Sequence, residues 1–168
     1  LVNVYNAPTA RVLAARGAMS ICLPPELPLA SVRSIIAGAP DIAFEVFAFG
    51  KVPLAISARC AHARNKGLFK DNCQFVCGED PDGLPVDTLD GQHFLTLNGV
   101  QTMSSTSQSL LTDLPALADA RVRSLRLSPQ VCDMVRVAGL FRSVADGRIQ
   151  PEEGYSQLSE CYPAAAFS

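Results

Sequence analysis

AMSICLPPELPLASVRSIIAGAPDIAFEVFAF, Ala18 to Phe49, contains two short apolar runs with a segment of helical period between them. Ala18–Leu23 reads as a strand, and the Pro-Pro-Glu turn at Pro24–Glu26 ends it. In LPLASVRSIIAG, residues Leu29, Val32, Ile35 and Ile36 recur at helical spacing, and Gly38 with Pro40 stops the helix. Ile42–Phe49 is a further strand, apolar except for Glu45, as expected of a strand covered on both faces. One strand, one helix and a second strand in this order predict a parallel sheet of α/β type.

The pattern extends in both directions. Leu1–Tyr5 is a strand candidate, followed by a helix that starts at Asn6–Thr9, carries Pro8 at an early position and stops at Gly17. Downstream, HFLTLNG at His93–Gly99 reads as a strand, Thr102 to about Asp119 as a polar helical stretch, Val122–Leu127 as a strand and Val131–Gly147 as a closing helix. Between Gly50 and Gln92 the periodicity fails, which predicts a long irregular region, and a loop of that length requires a reason. Four or five strands are too few to close a barrel. The expected fold is therefore a partial (β/α) TIM-barrel-like domain over residues 1–168, its C-terminal half, with a cysteine-containing insertion at about 50–92. A start at LVNVYN, in mid-strand, agrees with an N-terminal half lying outside the chain.

Composition narrows the function classes. The chain has 168 residues, of which 48% are hydrophobic and 18% charged, enough for one core and incompatible with disorder. At this size a domain buries roughly 70% of the surface of its unfolded chain, so six cysteines are not needed as a disulfide framework. Fourteen Lys+Arg against sixteen Asp+Glu give a net charge of -2, which excludes a generally basic nucleic-acid-binding surface. The uncharged stretch Gly91–Thr112 carries too many polar side chains for a membrane span, and the first residues lack the features of a secretory signal. A cytoplasmic protein is expected.

The cysteines fall into two groups. Cys22, Cys132 and Cys161 are scattered among regular elements, where a free cysteine is usually a small buried apolar residue. Cys60, Cys73 and Cys77 stand as C-x12-C-x3-C in the irregular region. Loop thiolates are ligands for zinc or an iron–sulfur cluster, and the wide gap suits a cluster better than a zinc ribbon with paired C-x2-C ligands. Either metal takes four ligands. The fourth is left open among His62, His93, another cysteine, water and a residue outside the chain. Arg59, Arg64, Lys66 and Lys70 form either a solvated charged loop or a cationic surround for thiolates or an anionic substrate.

The run Phe49–Ser104, and SARC followed by KDNCQFVC within it, closely resembles the UbiV family of ubiquinone-biosynthesis proteins, a branch of the collagenase-like peptidase superfamily. NVYNAPTARVLAARGAMSICLPPEL and RVRSLRLSPQ extend the likeness over most of the chain. The resemblance implies a subunit of an oxygen-independent hydroxylase, with a [4Fe-4S] cluster, working as a heterodimer with the paralogous U subunit (UbiU) on a ubiquinone precursor. It implies Cys60, Cys73 and Cys77 as three metal ligands, with the fourth upstream of this chain and not at Cys22. Peptidase relatives carry a histidine in a motif like FVHG where this chain has FAFG ending in Gly50, which counts against proteolysis. Collagenase-like peptidase activity and a noncatalytic iron–sulfur scaffold are the alternatives.

Four further residues are substrate-contact candidates. Glu45 is a carboxylate inside an apolar strand, where it requires a partner. Asn98 and Gln101 follow the strand FLTL, and Arg126 lies near the end of its strand, where barrel enzymes place site residues. Ser57 and His62 lack the G-x-S-x-G turn and an orienting acid of a serine hydrolase.

Overall fold

A computed structural model describes residues 3–162. The elements are helices α1 (Ala7–Ala15), α2 (Leu29–Gly38), α3 (Ala61–Asn65), α4 (Leu114–Asp119), α5 (Met134–Ala145) and α6 (Pro151–Cys161), and strands β1 (Ser20–Cys22), β2 (Ala43–Ile56), β3 (Leu84–Asp87), β4 (His93–Asn98), β5 (Gln101–Ser109) and β6 (Ser124–Leu127). The strands form a mixed six-stranded sheet in the order β1-β2-β5-β4-β3, with β6 also on β2. The expected α/β class is borne out, and the parallel part is compatible with a partial (β/α) fold. The chain divides into two compact units.

The first unit takes residues 3–49, Ser109–Ser128 and Val135–Cys161. Here β2 lies between β1 and β6, parallel to both, because Glu45 is paired with Cys22 on one edge and Ser124 on the other. Asn6 caps α1 by accepting from the Thr9 amide at 2.9 Å, satisfying one of the unpaired donors of a helix start. Gly38 admits α1: a Cβ there would stand 2.6 Å from the Ala7 Cβ. Ile21, Phe44, Phe49, Val137, Phe141 and Leu158 are buried. Each such side chain contributes on the order of 1.5–3 kcal/mol of hydrophobic stabilisation. Phe49 and Phe141 meet edge to face, with ring centroids 6.1 Å apart.

The second unit takes Gly50–Gln108, Pro129–Met134 and Tyr162. Its strands β3, β4 and β5 form an antiparallel meander. The β4–β5 turn has two residues, Gly99 and Val100, between the paired Asn98 and Gln101, and Gly99 takes the positive φ of 60° that short hairpin turns use. Lys51 donates from Nζ to the Asp82 carbonyl (2.9 Å) and the Thr96 hydroxyl (3.2 Å), fixing the turn before β3.

Several expectations change. Leu1 and Val2 lie outside the described residues, and Asn3–Tyr5 form no strand, although Val4 is buried. Gly50–Gln92 is not one irregular loop: β2 continues to Ile56, and α3, two 3-10 turns at Lys70–Asn72 and Val76–Glu79, and β3 follow. The stretch from Thr102, expected to be helical, is strand β5 up to Ser109, and only Leu114–Asp119 is helix. Helix α6 has no counterpart in the sequence reading.

Candidate functional site

The cysteine segment is built around α3. Cys60 is its N-cap, and its Sγ accepts from the Ala63 amide at 3.5 Å. Two backbone bonds tie this start to the β4–β5 turn: Ser57 N–H to the Val100 carbonyl and Ala61 N–H to the Gly99 carbonyl, both 2.8 Å. Asn98 and Gln101 flank that same turn, so the structure brings them beside the Cys60 segment. They sit on a hairpin and not at the end of a parallel strand.

Helix α3 packs against the turn Val76–Glu79, which holds Cys77. Lys66 Nζ lies 2.7 Å from Glu79 Oε2, and that partner raises the Lys66 pKa. His62 Nε2 lies 3.5 Å from Asp80 Oδ2. Cys73 ends the first 3-10 turn, and Gln74 and Phe75 after it both take left-handed φ of 53°. Such backbone costs on the order of 1–3 kcal/mol per residue and persists only where surrounding contacts enforce it. Phe69 and Phe75 are exposed on the same segment.

His62 is 2% exposed, and its Nδ1 accepts from the Gly99 amide at 3.1 Å. A neutral imidazole has one acceptor nitrogen, so its proton is on Nε2, facing Asp80. In this arrangement His62 offers no lone pair to a metal; it ties α3 to the hairpin turn through Gly99, and its buried Nε2 has no hydrogen-bond partner among the described residues, with Asp80 Oδ2 only nearby at 3.5 Å. His93 is paired through Nδ1 with Asp87 Oδ1 at 2.7 Å and is half exposed. Ser57 Oγ accepts from the Arg59 amide at 3.1 Å while His62 Nδ1 is taken by Gly99, so the two form no nucleophile–base pair.

None of the six cysteines is in a disulfide. Among the described residues no three His, Cys, Asp or Glu side chains converge as a metal site. Cys60, Cys73 and Cys77 share one segment, but as placed they do not form a ready cage for a cluster.

Glu45 and Arg126, two separate candidates in the sequence, belong to the first unit and meet there. Arg126 Nε donates to Glu45 Oε1 at 2.6 Å, and the Ser124 hydroxyl lies 3.5 Å from Oε2. Glu45 raises the Arg126 pKa further, which keeps the guanidinium charged. Cys22 completes the group. Its pKa is raised first by burial and then by the Glu45 carboxylate, with Arg126 opposing. Sequence reasoning missed Cys22 because only the strand register, Cys22 opposite Glu45, connects them. Phe49, where peptidase relatives carry a motif histidine, is fully buried in the core.

Parallel strands alternating with helices, joined in sequence to a meander with a cysteine-bearing segment, define a mixed α/β protein compatible with a partial (β/α) fold. The chain belongs to peptidase family U32, whose family description matches residues 1–163. No solved structure matches it. Among the described residues no helix is long and apolar enough to cross a membrane.

Proposed function

We propose that this chain is the iron–sulfur subunit of an oxygen-independent hydroxylase in anaerobic ubiquinone biosynthesis, of the UbiV kind, paired with its paralogue UbiU and acting on a ubiquinone precursor. The observation that carries the reading is the segment C-x12-C-x3-C itself: three free thiols on one stretch, with the helix headed by Cys60 packed on the turn that holds Cys77. Soft thiolate donors select iron–sulfur or zinc over oxygen-preferring ions. A [4Fe-4S] cluster takes a fourth ligand besides these three thiolates. The test is ring hydroxylation by the two subunits together without oxygen. Activity that is lost when Cys60, Cys73 and Cys77 become alanine is the expected result. Activity unaffected by that change would refute the reading.

Membership of a peptidase family favours a second reading, a collagenase-like peptidase. It predicts cleavage of denatured collagen by the chain without UbiU. The absence of a Ser57–His62 pair and the burial of Phe49 weigh against it. A noncatalytic scaffold would bind a cluster and UbiU, yet tolerate substitution of Glu45, Asn98, Gln101 and Arg126.

A further inference from the structure

One face of the parallel strands β1, β2 and β6 carries a polar row that the cysteine segment does not use. Strand alternation places Ser20, Cys22, Glu45, Ser124 and Arg126 on it, with the buried Phe47 beside Arg126 closing the row, while Ile21, Phe44 and Val46 are buried on the opposite face. Ser20, Ser124 and Arg126 are exposed. Arg126 spends its Nε–H on Glu45, and its side chain is still 58% exposed. The bond to Glu45, with the Cys22 thiol as a further side-chain partner, orients the guanidinium plane, and the terminal nitrogens of a guanidinium form a planar fork matched to a carboxylate.

We propose that this face is a binding site for a small carboxylate ligand, with the Arg126 fork as its receptor, the Ser124 hydroxyl and Cys22 thiol beside it, and Glu45 as a positioning residue. The row holds one cation and one anion, so the empty site is electrically neutral. This suits a planar monoanion better than a phosphate dianion, which calls for more donors or a second cation. The site is independent of the cluster reading: it lies on other residues, and its test is unaffected by substitution of Cys60, Cys73 and Cys77.

Cys22 makes the site readable by alkylation. Iodoacetate carries a carboxylate and iodoacetamide does not. With either reagent the Cys22 sulfur forms an S–C bond, iodide leaves with the electron pair of the C–I bond, and the thiol proton passes to buffer. Rates at Cys22 and Cys161 are measured by peptide mass mapping of the whole chain, Cys161 serving as internal control. The iodoacetate-to-iodoacetamide rate ratio at Cys22 is expected to exceed that at Cys161 by about tenfold, the worth of one charge-assisted bond. Acetate should slow iodoacetate at Cys22 but leave iodoacetamide unaffected, and phosphate at equal ionic strength should not compete. Arg126→Lys, which keeps the charge and loses the fork, and Arg126→Gln should both return the ratio to that of Cys161. Equal ratios at the two cysteines in the unaltered chain would overturn the proposal without any variant. So would a preference that survives Arg126→Gln, or phosphate competing as well as acetate, which would mark an unselective cationic patch.

Discussion

The Nε–H of Arg126 donates to Oε1 of Glu45 across 2.6 Å, joining β6 to β2 between residues 81 positions apart in sequence. The Arg126 side chain is mostly exposed, and solvent screens such a pair. A double-mutant cycle with Glu45→Ala and Arg126→Ala, followed by denaturant unfolding, should therefore give a coupling of about 0.2–1 kcal/mol. A coupling of several kcal/mol would mean the pair is a main prop of the parallel sheet.

Phe49 should matter far more to stability. It is fully buried and meets Phe141 edge to face. Phe49→Ala should cost about 3–5 kcal/mol through lost burial and the cavity left behind, measured as the shift in the unfolding midpoint. Phe49→His, which restores the residue type of the peptidase relatives, should also destabilise, because it buries a polar ring in an apolar site.

Gly83 holds the turn before β3 at φ +86°, and a Cβ there would come within 2.6 Å of the Thr96 side chain and 2.8 Å of the Leu97 carbonyl. Gly83→Ala meets both the conformational and the steric obstacle, and should destabilise by about 1–3 kcal/mol. Hydrogen exchange should localise the effect to the amides of β3 and β4.

Cys22 predicts an alkaline limb in the stability curve. Its folded pKa is raised above the ordinary value of 9.0, so the folded state disfavours the thiolate. The stability it contributes is fully present below that ordinary value and is lost as pH rises through the folded pKa. The melting temperature of the unaltered chain should fall more steeply above pH 9.0 than that of Cys22→Ala. Parallel curves would count against it.

The strand–helix–strand unit from Ala18 to Phe49 could be read in sequence because its apolar spacing and its stops agree. Two misreadings have physical causes. Pro53 has no amide to donate and reads as the end of a strand, yet it lies in β2 beyond Phe49, the last residue of that strand paired with β6. The run TMSSTSQS offers little apolar alternation. It becomes strand β5 because β2 and β4 take its backbone from either side, a pairing that local propensity does not encode. The cysteine spacing was visible, whereas the five-residue helix headed by Cys60 and the bond from the Gly99 amide to His62 depend on contacts far apart in sequence. Glu45 and Arg126 could each be singled out from the sequence, but their pairing and the addition of Cys22 required the register.

The central claim, a cluster held by the loop cysteines, is tested most directly by iron and acid-labile sulfide content of the protein purified without oxygen, beside a variant with Cys60, Cys73 and Cys77 changed to alanine. The account predicts about four iron and four sulfide per chain, lost in the variant. Zinc in their place, or no metal and the same folding in both proteins, would contradict it.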